Sequence, residues 1–177
     1  DSCPARPASR GGRTVGQEAA FCTAPHQPRP PAVAVHSKPL HTMHITVYAA
    51  SSGQIPEPYV REAAALGRLL ATEGHTLVNG AGRTGLMGAC TDACLAAGGR
   101  AVGVIPQFMV EQNWQHKGMT ELCVTPDMHS RKERMASMSD ACIALPGGVG
   151  TLEELLEVIT WKQLGIYLKP IVVLNAD

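Results

Sequence analysis

Two glycine-rich stretches and one basic turn hold the residues whose types and spacing suit chemistry. In "ALPGGVGTLEE", residues 144–154, an apolar segment runs into Gly147, Gly148 and Gly150, then Thr151, then Glu153 and Glu154. Glycines let a backbone turn its N–H groups toward one point, and a helix starting there adds its dipole, so the stretch reads as a cradle for a phosphate. No lysine follows the glycines, which removes the main support for a magnesium-dependent triphosphate loop. Carboxylates in the first turn of a helix have an ordinary explanation, a dipole contribution of a few tenths of a kcal/mol up to about 1. That explanation is adequate for one glutamate and less so for two beside an anion site, because the anion repels both unless one is needed. Cationic compensation is available in "DMHSRKERMASM", residues 127–138, where Arg131, Lys132 and Arg134 open a helical stretch. A solvated basic turn is the plain reading of those three. If the turn follows a strand of the same sheet, Arg131 and Glu154 face each other across one pocket.

The other glycine stretch, "NGAGRTGLMG", contains GxGxxG at Gly80, Gly82 and Gly85. Three readings stay open for it: a dinucleotide fingerprint, glycines that only permit tight turning, and backbone contacts to a mononucleotide or sugar phosphate. Against the first, no carboxylate ends the following strand; "VGVIPQF" reaches its first acidic residue only at Glu111. The six cysteines, at 3, 22, 90, 94, 123 and 142, form no CxxC pair and no zinc-site spacing. Four of them sit in apolar stretches and read as small buried hydrophobes in a reducing compartment, with no metal and no cofactor expected.

The elements that must position these residues alternate along the chain. Short apolar runs at 45–50, 75–80, 100–105, 121–125, 141–146 and 170–175 read as strands, and 58–73, 85–97, 129–139 and 151–164 read as helices. Gly74 follows the first helix as a natural stop. Strands apolar on both faces between amphipathic helices call for a parallel sheet covered on both sides, a Rossmann-like doubly wound α/β fold in a single domain. Ligands of such folds bind beyond the carboxyl ends of the strands. The stretches of interest are therefore 50–58, 80–85, 106–120, 126–131 and 146–151.

Composition narrows the partners. Lys plus Arg balance Asp plus Glu at 15 each in 177 residues, so nothing argues for nucleic acid or an anionic membrane as a bulk partner. No apolar run approaches the roughly 20 residues of a membrane span, and no secretory signal pattern is present; a cytoplasmic location is expected. Residues 1–42 carry seven of the 13 prolines and one aromatic residue, and are expected to form a disordered leader. One reading takes Met43, which opens "MHITVYAA", as the native start. The apolar "LLEVITW" of the last helix suits a core or a dimer interface better than solvent.

"DMHSRK" followed by "ALPGGVGTLEELLEVITWKQLGI" resembles the LOG family, the cytokinin riboside 5′-monophosphate phosphoribohydrolases long mislabelled as lysine decarboxylases. The hallmark PGGxGTxxE is matched by Pro146, Gly147, Gly148, Gly150, Thr151 and Glu154, and its flanking Arg-Lys pair by Arg131 and Lys132. "VYAASSG" and "NGAGRTGLMG" resemble the family's first two strand-to-loop turns, so the likeness covers 43–177, a domain expected to be truncated at its C-terminal end. The resemblance implies a homodimer that cleaves the N-glycosidic bond of an adenine nucleoside 5′-monophosphate, with N6-isoprenoid nucleotides or AMP as substrate. It implies Arg131 and Glu154 as the catalytic pair. Ser51, Ser52, Gly82, Met128, Lys132, Gly147, Gly148, Val149, Gly150, Thr151 and Glu153 are the implied substrate contacts. Asn113 takes the place of an acidic contact found in some members, with Glu111 close by, and "AASSG" replaces a more usual Cys-Gly-Ser-Ser. Two other readings stand beside it. A carrier of a phosphorylated ligand, similar to the molybdenum cofactor carriers, uses the same glycine loops without hydrolysis. Lysine decarboxylation needs a pyridoxal phosphate lysine, and no suitable context for one is visible.

Overall fold

Every strand of the computed structural model runs parallel to its neighbours, and the model describes residues 41–175. The leader expected over 1–42 lies, but for residues 41 and 42, outside the described residues. The elements alternate as β1 (His44–Tyr48), α1 (Glu57–Thr72), β2 (Thr76–Asn79), α2 (Gly85–Ala96), β3 (Arg100–Pro106), α3 (Gln107–Glu111), β4 (Glu121–Thr125), α4 (Met128–Met138), β5 (Ala141–Ala144), α5 (Val149–Gln163) and β6 (Ile171–Val173). The sheet order is β4-β3-β2-β1-β5-β6. The chain thus winds outward from β1 to β4, crosses back, and restarts at β5 on the other side of β1. Register across that junction pairs Ile45 with Ala141 and Tyr48 with Ala144. The carboxyl ends of β1 and β5 therefore open the crevice of a doubly wound fold.

Period-two alternation assigns side chains to the two faces. Ile45, Val47, Leu77 and Ala101 join Ala63, Leu70, Leu86, Cys90 and Cys94 of α1 and α2 in one buried cluster. On the other face Tyr48, Val78, Val102 and Val104 meet Met135 and Ala136 of α4 and Val158 of α5. Each fully buried aliphatic side chain such as Leu77 or Leu86 contributes about 1.5–3 kcal/mol to this arrangement. α1 approaches α2 closely because position 67 has no side chain; a Cβ there meets the Cys90 carbonyl oxygen at 2.1 Å. Gly74, at φ +75°, ends α1 as the sequence predicts.

Three expectations are corrected. α5 begins at Val149 rather than 151, because Gly148 takes an extended N-cap conformation, φ −87° and ψ −158°. Glu153 and Glu154 consequently lie in the second turn, beyond the reach of the ordinary first-turn dipole explanation. The stretch 106–120 contains the short helix α3. Finally, β4 and β6 are edge strands and largely exposed, so only the inner strands are covered on both faces.

Candidate functional site

The buried stripe of α5 is Thr151, Glu154 and Val158, spaced to point one way. A carboxylate therefore occupies a position on the core-facing side of this helix. α4 presents Arg131, Met135 and Ala136 on its own buried side. Asp127 caps α4, accepting a hydrogen bond from the Ser130 N–H at 2.7 Å, and this bond holds its carboxyl below the usual range. Arg131 is thus delivered one turn into a capped helix.

The two side chains meet. Arg131 Nη1 lies 2.7 Å from Glu154 Oε1, with both side chains more than nine-tenths buried. Arg131 Nε also donates to the Val104 carbonyl within β3, at 3.1 Å. Burial pushes the Glu154 carboxyl above the ordinary glutamate range, and the Arg131 charge opposes that shift without cancelling it. Tyr48, at the end of β1, is raised far beyond the usual phenol range by burial first, with Cys142 and Glu154 adding to the effect.

A cavity of about 310 Å³ opens over this pair. Its walls come from the β1 end (Ala49 to Ser52), from Met128 and Arg131 of α4, and from Gly148, Gly150, Thr151, Glu153 and Glu154. A second cavity of about 380 Å³ adjoins it and shares Ser51, Met87, Met109 and Arg131. Gly80, Gly82, Thr84, Ile105 and Trp114 line that second space. Its outer wall is tied together by backbone: His116 N–H donates to the Ala81 carbonyl at 2.7 Å, and Gly82 bridges Gln115. Arg83 donates to the Asn113 carbonyl at 2.9 Å.

The glycines of the α5 loop differ in what they permit. At 147 a Cβ meets the Thr151 hydroxyl at 2.1 Å, so the fold itself excludes a side chain. At 148 and 150 a Cβ meets no protein atom within 4 Å, and both residues face the cavity. Nothing in the protein requires glycine at those two positions. At the other loop, Gly85 has φ +66° and sits against the Ser52 and Ala50 carbonyls, where a Cβ comes within 2.6 Å of each. Its role is close packing of the α2 start on the loop after β1.

Among the residues expected in the site, Ser51, Ser52, Met128, Arg131, Gly148, Gly150, Thr151, Glu153 and Glu154 line the first cavity and Gly82 the second. Lys132, Gly147, Val149 and Asn113 are not among the lining residues of either. Lys132 is ion-paired with Glu153 and lies 3.1 Å from Glu157. Asn113 adopts φ +57°, a conformation asparagine tolerates, and turns the chain before Trp114. Sequence reasoning missed Met87, Met109, Ile105 and Trp114. All four are apolar or aromatic residues with no local signal to distinguish cavity wall from core. No group of three or more His, Cys, Asp or Glu among the described residues is arranged to hold a metal ion. Cys90, Cys94, Cys123 and Cys142 are free thiols, three of them buried. No helix among the described residues is long and apolar enough to cross a membrane.

Comparison with known proteins adds findings of three kinds. A family model described as "Possible lysine decarboxylase" matches residues 87–177. A cytokinin riboside 5′-monophosphate phosphoribohydrolase from Rhodococcoides fascians is 47% identical over 132 residues, covering 74% of this chain and 67% of that protein. One from Arabidopsis thaliana is 45% identical over 133 residues, covering 75% of this chain; the chain spans only 58% of that relative's length. Among solved structures, a Moco carrier protein from Chlamydomonas reinhardtii superposes with a TM-score of 0.63 at 26% identity, over 76% of each chain. A molybdenum cofactor binding protein from Rippkaea orientalis does so with a TM-score of 0.62 at 26% identity, over 78% of this chain and 79% of its own.

Proposed function

This chain belongs to the LOG family, that of the cytokinin riboside 5′-monophosphate phosphoribohydrolases, and from that membership we propose that it is an N-glycosyl hydrolase. Its substrate is an adenine nucleoside 5′-monophosphate, with or without an N6-isoprenoid group, and its products are the free base and ribose 5-phosphate. The observation that carries the reading is the buried Arg131–Glu154 pair beneath a cavity rimmed by the open start of α5.

The chemistry follows from the substrate's two unlike ends. The 5′-phosphate binds at Gly148, Gly150 and Thr151, where backbone N–H groups and the helix dipole favour an anion. Ser51 and Ser52 offer hydroxyls from the facing loop. That remote anchoring holds the anomeric carbon near Glu154. As the C1′–N9 bond breaks, its electron pair leaves with the base and positive charge grows on C1′. A carboxylate beneath the ring stabilises that state more than the ground state. Glu154 also orients the attacking water and takes its proton as the new C1′–O bond forms, and the departing base, carrying the electron pair, takes up a proton from solvent to leave as the neutral base. Arg131 keeps Glu154 aimed and ionised, and its guanidinium faces both cavities, so it also reaches the departing base. The second, more apolar space suits the adenine ring and a substituent on N6. Lys132 neutralises Glu153 beside the phosphate. Gly147 preserves the loop that Thr151 closes, and Val149, Gly82, Met128 and Asn113 complete the surround as contacts made or shaped on binding.

Incubating the protein with AMP and with isopentenyladenosine monophosphate, and following the free bases, tests the reading and decides between the two substrates. The likeness to Moco carrier proteins favours a second reading, a non-hydrolysing carrier of a phosphorylated ligand. Binding of nucleotide without any base release would select it. The protein acts as a homodimer in the cytoplasm; α5 leaves Leu152, Leu156 and Ile159 exposed on one side, and the free thiols suit a reducing compartment.

A further inference from the structure

The guanidinium of Arg131 is held on two of its edges by named partners: Nε by the Val104 carbonyl at 3.1 Å and Nη1 by Glu154 at 2.7 Å. Its third nitrogen, Nη2, points at the backbone of Gly80, at the carboxyl end of β2. A Cβ built on Gly80 lies 2.0 Å from Nη2 and 3.1 Å from Cζ, and 3.4 Å from the Met87 methyl. The methyl ends a flexible side chain and can move. The guanidinium cannot move without giving up Val104 or Glu154, and the residue that carries it is buried.

Gly80 differs from Gly85 in one respect. Its φ lies outside the positive range, so an alanine meets no backbone strain there, unlike at Gly85. Turning therefore does not explain the residue, and neither does phosphate contact, since Gly80 lines the second cavity and not the one at the α5 start. What glycine supplies at 80 is empty space, and that space is filled by Arg131.

We propose that Gly80 is a positioning residue for the reaction: by having no side chain it admits the Arg131 guanidinium to the place from which it pairs with Glu154. The β2 loop thus acts on catalysis through Arg131 rather than by gripping nucleotide. The geometry stands on its own, while the kinetic consequence rests on the hydrolase reading above.

The test is a double-mutant cycle of Gly80→Ala and Arg131→Lys, because lysine brings a single compact ammonium and lacks the planar fork that needs the space. With Arg131 in place, Gly80→Ala is expected to lower kcat by about tenfold or more. It is also expected to move the Glu154 carboxyl titration, followed by 13C NMR of the labelled protein, to higher pH, because a displaced guanidinium no longer lowers it. In the Arg131→Lys background, Gly80→Ala is expected to change neither. An unmoved titration in Gly80→Ala, or equal effects in the two backgrounds, overturns the proposal. If Gly80→Ala alone does not fold while the double variant does, the conflict is located at Arg131 and the proposal stands. Failure of both to fold alike overturns it. Should the native protein release no base from any nucleoside monophosphate, the hydrolase reading falls, and the NMR titration still decides the role of Gly80.

Discussion

Burying a guanidinium against a carboxylate costs several kcal/mol per ion in lost hydration, and hydrophobic residues of similar volume do the structural work as well or better. The Arg131–Glu154 pair is therefore poorly explained as a stability device. This separation of roles is measurable. Glu154→Gln should retain AMP binding and lose at least about 100-fold in turnover. It should also lower stability toward the about 3–5 kcal/mol that an orphaned buried partner costs. The double variant Arg131→Met with Glu154→Leu should be inactive yet at least as stable as the native protein in urea melts, and a double variant as unstable as the single one would argue for a structural pair. The raised Glu154 carboxyl sets two pH dependences of opposite sign. In the proposed mechanism turnover needs the carboxylate, so kcat should rise with pH through a midpoint above the ordinary glutamate value. The stability contribution is complete below that ordinary value and lost as pH rises through the folded one, so the stability gap between native and Glu154→Gln should change across that window. Nominating Glu154 as the catalytic candidate required only its motif. That Gly80 is the residue making room for Arg131 was illegible, because 51 positions of chain separate them and nothing local distinguishes this glycine from its neighbours.

Two helix starts carry the site, and each is built differently. α5 opens on glycines whose open side faces the cavity, so foldability and binding pull in opposite directions there. Gly150→Ala should raise Tm, since alanine in a helix is favoured over glycine by about 0.5–1 kcal/mol, and should at the same time raise KM for the nucleotide by crowding its phosphate. An unchanged KM would remove Gly150 from the anion site. α4 depends on its Asp127 cap, whose carboxyl is lowered by its bonds to Ser130. The stabilisation is present above the ordinary aspartate range and lost as pH falls through the lowered value. Asp127→Ala should therefore lower Tm at neutral pH and converge on the native protein in acid, as followed by circular dichroism. The helix patterns over 58–73 and 85–97 were legible to within a residue because their apolar spacing and terminal glycines agree. The start of α5 was misplaced by two residues because glycines are poor helix formers in isolation, and the tertiary setting, with Gly148 extended, overrides that preference. That shift is what moves both glutamates into the second turn and splits them, Glu154 inward and Glu153 toward Lys132.

Over the whole molecule, the sheet order sends the loops after β1 and β5 in diverging directions, and both cavities lie along the resulting opening. The face of α5 turned away from Glu154 carries Leu152, Leu156 and Ile159, each more than two-fifths exposed. If that face joins two copies, Leu156→Glu should convert dimer to monomer in light scattering without disturbing the circular dichroism spectrum; a native protein that is already monomeric would remove this role from α5. Taken alone, the sequence determined the parallel α/β architecture, because apolar runs of strand length separated by helices can bury both sheet faces in no simpler way. It also nominated an anion cradle and a catalytic carboxylate, because "PGGVGTLEE" concentrates glycine backbone and carboxylate within a few residues. Only the tertiary structure decided which carboxylate is buried, that Lys132 turns to Glu153 and Glu157, and that methionines and a tryptophan wall a second space beside the first. Those outcomes depend on which distant segments come within reach of Arg131, roughly the 4–4.5 Å over which packed side chains touch, and local pattern holds no record of such neighbours.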